Sequence, residues 1–174
     1  ILMGALAEVK PYLLITVPLV MEKIYKNKLQ PVLNKPVMKV LTSIPGVNQL
    51  LFKKIRNTLM GAFGGNIREI VMGGAALNPD VEKWLKKIGI PYTVGYGMTE
   101  AAPLMAYEDW HKFAPKSCGK AIDFVQVRID SEDPYNIVGE IQAKGVNIMS
   151  GYYKNEEATK AAFTEDGWMN TGDL

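Results

Sequence analysis

Two apolar runs joined by one amphipathic helix constrain the fold of this chain more than any other feature. Residues 67–72 (IREIVM) and 91–96 (PYTVGY) have the length and apolar character of buried strands. Asn78 and Pro79 are residue types that begin helices, apolar side chains then recur at helical spacing, and Gly89 ends the pattern. Because a strand, a helix and a strand with short links form a βαβ unit, the sequence predicts an α/β fold with a parallel β-sheet.

The residues before this unit predict another strand and an interrupted helical region. Residues 12–17 (YLLITV) form a continuous apolar run, which is typical of a parallel strand covered on both faces. Residues 21–63 have mainly helical periodicity. We expect breaks in that region at three places, which are Pro31, Pro36 and the pair Pro45-Gly46.

The last third of the chain has the alternating pattern of half-buried strands, and the composition changes near residue 116. The sequence predicts an α/β part over residues 1–115 and a β-rich part, a partial barrel, over residues 116–174. Both parts would belong to one large N-terminal domain. The predicted elements of the second part are strands at 124–130, 138–143 and 168–171, and a short helix over 156–163 capped by Asn155.

Composition narrows the function classes. The net charge of +2 and the dispersed basic residues argue against nucleic acid as a partner. Cys118 is the only cysteine, which excludes an internal disulfide and fits a cytoplasmic location. No run approaches the length of apolar sequence that spans a membrane. The apolar start at Ile1 lacks the basic region of a signal peptide, and we interpret it as the cut end of a longer protein.

Gly73, Gly74 and Ala75 stand where the first strand of the βαβ unit ends. Small residues there allow a planar ring or a phosphate to approach the backbone at the carboxyl edge of a sheet. A tight strand-to-helix turn requires the same residues, so both interpretations stay open. The dinucleotide fingerprint G-x-G-x-x-G is missing, as is a following acidic residue for the ribose, which argues against a dehydrogenase.

Two further motifs bring together groups that nucleotide chemistry needs. Hydroxyl and carboxylate oxygens bind hard cations such as Mg²⁺, and an aromatic face stacks on a nucleobase. A carboxylate after a Thr-Gly turn accepts hydrogen bonds from the hydroxyls of a ribose. Core packing and surface turns are the alternatives for both motifs. The residues concerned are Tyr96, Gly97, Met98, Thr99 and Glu100 in the first motif, and Thr171, Gly172 and Asp173 in the second.

The order and spacing of these motifs, rather than any one of them, indicate a family. The succession resembles the adenylate-forming (AMP-binding) superfamily, and residues 8–25 resemble its long-chain fatty acid–CoA ligase (acyl-CoA synthetase) branch. The resemblance covers nearly the whole chain, which is similar to the central fragment of such an enzyme. Further matching positions are Gly139-Glu140-Ile141, Gly145 and Gly151-Tyr152-Tyr153.

The resemblance implies a ligase that uses ATP and Mg²⁺ to activate a long-chain fatty acid as acyl-AMP, and then transfers the acyl group to CoA. It implies catalytic roles for Thr99 at the α-phosphate and for Glu100 at the Mg²⁺, while Asp173 holds the ribose. Metal charge and positioned donors are needed because the attack of a carboxylate on a phosphate brings anions together. The implied ATP-binding residues are Gly73, Gly74, Ala75, Tyr96, Gly97, Met98, Thr99 and Asp173.

Parts of the family pattern lie outside this sequence. A Ser/Thr/Gly-rich phosphate loop with a lysine would precede it, and a hinge and a C-terminal domain with a catalytic lysine would follow it. Leu19 also stands where the family often has arginine, which puts any contact of that arginine in doubt. We therefore expect the 174 residues alone to be inactive.

Other function classes stay open on the sequence. A non-catalytic nucleotide- or acyl-binding module, or an adenylate-forming ligase for aryl or amino acids, would share these motifs. Residues 47–63 combine apolar and basic side chains, which is typical either of a helix at the inner face of a membrane or of a helix packed on its own domain. His111 and Cys118 are predicted to lie outside the chemistry. No pattern predicts an oligomeric state.

Overall fold

The structure, a computed structural model, describes residues 2–174 apart from the side chain of Lys39. Ile1, and with it the predicted cut end, lies outside the described residues. The chain forms two compact units. The first comprises the described residues up to Val94 together with Asp109–Ser117, and the second comprises Gly95–Glu108 and Cys118–Leu174.

Most of the helical residues belong to the first unit. A π-helical turn spans Tyr25–Leu29, and a 3-10 turn of the second unit spans Thr99–Ala101. None of the helices in residues 2–174 has both the length and the apolar character needed to cross a membrane. The α-helices are α1 (Leu2–Val9), α2 (Pro18–Ile24), α3 (Gln30–Leu33), α4 (Pro36–Ser43), α5 (Val47–Ala62), α6 (Pro79–Ile88) and α7 (Glu156–Ala162).

The strands of the described chain form three sheets of three strands each. The strands are β1 (Leu13–Thr16), β2 (Glu69–Met72), β3 (Tyr92–Val94), β4 (Tyr96–Gly97), β5 (Leu104–Tyr107), β6 (Lys120–Ala121), β7 (Val125–Asp130), β8 (Glu140–Gly145) and β9 (Met169–Asn170). The sheet β1-β2-β3 is parallel, whereas β4-β5-β6 and β7-β8-β9 are antiparallel. Neither antiparallel sheet closes into a barrel within residues 2–174, and the predicted α/β fold with a β-rich portion is confirmed.

The βαβ unit predicted from the sequence is present as β2, α6 and β3. Asn78 caps α6, because its side-chain oxygen accepts the backbone N–H groups of Asp80 at 2.9 Å and Val81 at 3.4 Å. Gly89 ends the helix with a φ of +73°, a left-handed conformation that glycine adopts without strain. The apolar face of α6 buries Val81 and Leu85 in the core of the first unit.

β1 lies at the edge of the parallel sheet, and its exposure differs from the expectation of two covered faces. Leu13 is 49% exposed and Ile15 is 74% exposed, whereas Leu14 packs against the core. The strand predicted at residues 12–17 is therefore present, but the described residues cover only one of its faces.

The helical region over residues 21–63 breaks at some of its prolines and not at others. Pro36 begins α4, and Pro45-Gly46 separate α4 from α5. Pro31 instead lies in the first turn of α3, directly after the π-helical turn. Because proline lacks an N–H and its ring crowds the carbonyl four residues earlier, the wider π turn accommodates it without ending the helical path.

Glu82 is a buried carboxylate that binds the segment Asp109–Ser117 to the first unit. It is 5% exposed, and its two oxygens accept the backbone N–H of Lys116 at 3.0 and 3.2 Å. Phe113 of the same segment packs edge-on against Tyr92, with ring centroids 5.6 Å apart. Burial, together with the nearby Glu82 carboxylate, raises the pKa of Tyr92.

The single strand predicted over residues 91–96 is divided in the structure. β3 ends at Val94 in the parallel sheet, and β4 pairs with β5 in the antiparallel sheet of the second unit, with a register shift between Tyr96 and Gly97. A Cβ at Gly97 would lie 1.8 Å from the carbonyl oxygen of Pro103, so only glycine permits this approach. The prediction of one continuous strand is wrong, because hydrophobic periodicity does not record such a backbone contact.

The remaining predicted elements of the second unit are present with small shifts at their ends. The strands predicted at 124–130 and 168–171 correspond to β7 and β9, while the one predicted at 138–143 begins later, as β8. Asn155 caps α7, since its side-chain oxygen accepts the N–H of Ala158 at 3.0 Å. β5 and β6 are short strands that the sequence pattern does not predict.

Arg128 and Asp166 fix the turn that precedes β9. The Arg128 guanidinium donates to the two Asp166 oxygens at 2.7 and 3.1 Å and lies 4.4 Å from the centre of the Trp168 ring. Thr164 Oγ1 donates to the same carboxylate at 2.7 Å. The bonds from Arg128 and Thr164 hold the pKa of Asp166 at about 2, below the usual 3.8.

Replacing Asn78 with alanine should lower the free energy of unfolding by about 1 kcal/mol, because two N–H groups at the start of α6 lose their acceptor. Urea-induced unfolding followed by circular dichroism measures the change. Lys83→Ala is the matched control, since Lys83 is exposed in the same helix and its removal leaves the cap intact. We expect a change within about 0.5 kcal/mol for this control. Equal losses in both variants would contradict the capping role.

Asp166→Asn should make the stability of the fold depend less on pH in the acid range. Because the pKa of Asp166 is lower in the folded chain than the usual 3.8, its bonds stabilise the fold above about pH 4, and this contribution is lost as the pH falls toward about 2. Thermal unfolding at a series of acid pH values measures the slope. Glu165→Gln, which removes the neighbouring exposed carboxylate and keeps the Arg128 pair, should retain the wild-type slope. An Asp166→Asn slope as steep as that of the wild type would refute this role.

Candidate functional site

The three small residues predicted to line an adenine pocket lie at the carboxyl end of β2 in the first unit. The Gly73 N–H donates to the carbonyl oxygen of Thr16 at 3.2 Å, which continues the pairing of β1 with β2. Gly74 has a φ of +83°, and a Cβ there would meet no atom within 4 Å. Backbone conformation, rather than lack of space, therefore requires glycine at this position. Gly74 and Ala75 are exposed where the sheet ends and α6 approaches.

In the second unit, two side chains predicted to bind one nucleotide are in direct contact. The Tyr96 hydroxyl donates to Asp173 Oδ2 at 2.6 Å, although 77 residues separate them in the sequence. Burial and this hydrogen bond raise the pKa of Tyr96 to about 12. The structure thus brings the aromatic side chain of Tyr96 and the carboxylate of Asp173 into contact.

The backbone around Asp173 is held by β8 and by Thr171, two residues earlier in the chain. The Asp173 N–H donates to Thr171 Oγ1 at 3.1 Å, and its carbonyl oxygen accepts the Ile141 N–H at 2.8 Å. The Gly172 N–H donates to Glu140 Oε1 at 2.8 Å. These bonds fix the backbone while the Asp173 residue itself is exposed.

Thr99 and Glu100 form the start of the 3-10 turn that follows β4. Thr99 is exposed and Glu100 is half-buried. The Tyr152 hydroxyl donates to Glu100 Oε1 at 2.9 Å, and the Met149 N–H donates to the carbonyl oxygen of Glu100 at 2.7 Å. A hydroxyl and a carboxylate at adjacent positions are hard oxygen donors, and this donor set fits Mg²⁺.

Gly97 and Met98 connect the tyrosine ring to this turn through packing contacts. Gly97 provides the close approach to Pro103, as described for the β4–β5 pair. Met98 is partly buried against a hydrophobic cluster that includes Met105 and Ala143. Both residues thereby maintain the spacing between Tyr96 and the 3-10 turn.

Tyr152, Asn147 and Glu140 contribute to this region although the sequence reasoning assigns them no role. Asn147 Nδ2 donates to the carbonyl oxygens of Ala101 at 2.6 Å and Leu104 at 3.0 Å. Glu140 and Tyr152 lie in segments that support the family resemblance, and this resemblance is the sequence signal that could have indicated them. Their partners are more than thirty residues away, so no local pattern reveals the bonds.

The residues predicted to lie outside the chemistry are on the surface. His111 is exposed and its Nδ1 lies 2.6 Å from Asp109 Oδ1, and Cys118 is exposed as well. Leu19, in place of the family's arginine, is 53% exposed at the start of α2. In the part of the chain that the structure describes, no three His, Cys, Asp or Glu side chains cluster as metal ligands.

Comparison with known proteins gives the family. The profile of the AMP-binding enzyme family matches residues 1–153. Long-chain-fatty-acid–CoA ligase 4 of Saccharomyces cerevisiae is 39% identical over 130 residues, which are 72% of this chain and 18% of the relative. Long-chain-fatty-acid–CoA ligase 1 of the same yeast is 32% identical over 193 residues, which are 98% of this chain and 27% of the relative.

A solved structure agrees in fold. The crystal structure of ATP-bound MatB from Rhodopseudomonas palustris has a TM-score of 0.66 and 25% sequence identity, and the match covers 98% of this chain and 29% of that chain. This chain therefore spans less than a third of that protein and of either yeast ligase. The family match includes the double glycine and the motif from Tyr96 to Glu100. On these grounds, the chain belongs to the AMP-binding enzyme family of adenylate-forming acyl-CoA ligases.

Proposed function

We propose that the protein to which this chain belongs is an ATP-dependent acid–thiol ligase that activates a long-chain fatty acid as acyl-AMP and transfers the acyl group to CoA. The 2.6 Å bond between Tyr96 and Asp173 carries the proposal, because it joins an aromatic face to a carboxylate suited to ribose. Similarity to two yeast long-chain-fatty-acid–CoA ligases supports the class of acid. We also propose that residues 1–115 and 116–174 are the α/β and β-rich parts of one large N-terminal domain.

In this proposal one bound adenosine engages Tyr96 and Asp173 together. The tyrosine ring stacks on adenine, and the aspartate accepts hydrogen bonds from the ribose hydroxyls. Their mutual hydrogen bond orients the ring and the carboxylate before the ligand arrives, which lowers the ordering cost of binding. Gly73, Gly74 and Ala75 line the adenine pocket, and the open space beside Gly74 is compatible with a ring there.

Thr99 and Glu100 act at the phosphates. The exposed Thr99 hydroxyl donates to an oxygen of the α-phosphate, and Glu100 holds Mg²⁺. The positive charge of bound Mg²⁺ offsets the repulsion between the fatty acid carboxylate and the triphosphate. The substrate carboxylate oxygen bonds to the α-phosphorus and pyrophosphate leaves; the CoA sulfur then attacks the acyl carbon and AMP leaves. No nucleophile from the protein is required.

Glu100→Gln and Asp173→Asn in the full-length protein should each lower fatty-acid-dependent ATP–pyrophosphate exchange by about 100-fold, because the first removes the charge that holds Mg²⁺ and the second removes the charged acceptor of the ribose hydroxyls. Asp123→Asn is the matched control, since it removes an exposed carboxylate of the same unit and should leave the exchange unchanged. We expect no exchange from the isolated 174 residues.

A panel of acids separates the alternatives. Exchange that rises with acyl length supports the fatty acid class, whereas exchange with aryl or amino acids alone would replace that class. ATP binding by the full-length protein without any exchange would favour a non-catalytic module. Wild-type exchange in both Glu100→Gln and Asp173→Asn would refute the assignment of the site.

We propose in addition that the helical surface formed by α3, α4 and α5 contacts the anionic inner leaflet of a membrane. Residues 30–62, which span these helices, contain four lysines and one arginine and no acidic residue, although the whole chain has a net charge of only +2. Large apolar side chains are exposed on the same helices, including Val37 at 67%, Val40 at 61% and Leu50 at 73%. Basic residues around exposed apolar ones fit an anionic bilayer.

A cavity in the first unit strengthens the case for a lipid partner. Its volume is about 660 Å³, and its lining is mostly apolar. It opens among α3, α4 and α5, with Lys28 and Lys54 at its wall. An apolar space beside cationic groups suits the acyl chain of an anionic lipid better than a polar ligand.

Charge reversal tests this contact. Lys35→Glu with Lys53→Glu should weaken binding to phosphatidylcholine vesicles that contain phosphatidylserine by more than about tenfold, since each basic residue contributes about 1 kcal/mol near such a surface. Vesicle flotation of the full-length protein measures the binding. Lys154→Glu with Lys160→Glu makes the same charge change in the second unit and should have little effect. Equal losses in both pairs, or equal binding to vesicles without phosphatidylserine, would contradict the proposal.

A further inference from the structure

The Glu100 carboxylate has a partner on the second unit's own surface. The Tyr152 hydroxyl donates to Glu100 Oε1 at 2.9 Å across 52 residues of sequence. A hydrogen bond to one oxygen of a carboxylate restricts its rotation and leaves the other oxygen able to accept a further ligand.

The loop that carries Tyr152 also holds the backbone of the turn on which Glu100 stands. The Met149 N–H donates to the Glu100 carbonyl oxygen at 2.7 Å. Asn147 Nδ2 donates to the carbonyl oxygens of both Ala101 and Leu104. The main chain and the side chain of Glu100 are therefore held by one segment, residues 146–152.

Tyr152 is itself held by α7. Its N–H donates to Thr159 Oγ1 at 2.9 Å, and that hydroxyl donates to the carbonyl oxygen of Asn155 at 2.7 Å. The preceding Gly151 has a φ of +148°, and a Cβ there would lie 2.7 Å from Thr159 Cγ2. Glycine at 151 allows the loop to contact α7, which fixes the point from which the tyrosine side chain extends.

We propose that Tyr152 is a positioning residue for Glu100, which it holds with Oε1 occupied and Oε2 presented to the divalent cation. The inference rests on the proposed role of Glu100 and deepens it. A carboxylate held in one orientation loses less conformational freedom when the cation binds, so Tyr152 strengthens metal binding without touching the metal. If the hydroxyl instead competed with the cation for Glu100, its removal would tighten metal binding.

The test is the dependence of ATP–pyrophosphate exchange on Mg²⁺ concentration in the full-length protein. Tyr152→Phe should raise the half-saturating Mg²⁺ concentration roughly tenfold, as is usual when an outer partner of a metal ligand is removed. The rate at saturating Mg²⁺ should stay close to that of the wild type. Tyr153→Phe is the matched control, because Tyr153 is the next residue and is 88% exposed, with Lys154 lying 5.2 Å from its ring. It should leave the Mg²⁺ dependence unchanged.

A double-mutant comparison distinguishes failure of this inference from failure of the proposed function. In the Glu100→Gln background, Tyr152→Phe should have no further effect on the Mg²⁺ dependence, because the carboxylate it acts through is gone. Wild-type Mg²⁺ dependence in Glu100→Gln would overturn the role of Glu100 itself. If Glu100→Gln changes the Mg²⁺ dependence but Tyr152→Phe leaves it unchanged or lowers the half-saturating Mg²⁺ concentration, the positioning role alone is overturned. We expect Tyr152→Phe and the wild type to have equal thermal unfolding midpoints. If Tyr152→Phe instead lowers both the midpoint and the exchange rate without changing the Mg²⁺ dependence, Tyr152 has a structural role and the positioning role is overturned.

Discussion

The close approach of backbone at Gly97 is the constraint on which the second unit depends. The carbonyl oxygen of Pro103 occupies the space that a side chain would take, and this lets β4 pair with β5. The pairing sets the position of Tyr96, from which its hydroxyl reaches Asp173. Thr99 lies two residues after Gly97 on the same segment. One steric requirement therefore underlies the arrangement of ring, hydroxyl and carboxylates in this unit.

The elements that could be predicted from the sequence are those with local determinants. α6 matches its prediction because the cap, the proline in the first turn, the apolar repeat and the terminal glycine all lie between Asn78 and Gly89. β6 could not be predicted, because Lys120–Ala121 form a strand only through pairing with β5. The division of the chain at Gly95 likewise depends on a partner strand, so it leaves no mark on the hydrophobic pattern.

The candidate site likewise has features that could be predicted from the sequence and features that could not. Its main side chains could be predicted because the spacing of motifs resembles a family, and the double glycine and the tyrosine motif are visible as short runs. The contacts that orient them could not be predicted, because the partner of Asp173 is 77 residues away and that of Glu100 is 52 residues away. Hydrogen bonds over such separations follow from tertiary structure alone, and family spacing indicates only that residues such as Tyr152 are present.

Each unit is built from two separate segments of the chain, so a single cut in the sequence does not separate them. The same connectivity affects the order in which the units can fold during synthesis. Glu82 is buried in the first unit, but the N–H that satisfies it belongs to Lys116. A truncation before Lys116 would remove this N–H, and the loss of a hydrogen bond to a charged group costs about 1.5–3 kcal/mol. During synthesis on the ribosome, the first unit stays incomplete until Asp109–Ser117 emerges, by which time β4 and β5 have already left the exit tunnel. The first unit can thus be complete before Cys118–Leu174, the larger part of the second unit, has emerged.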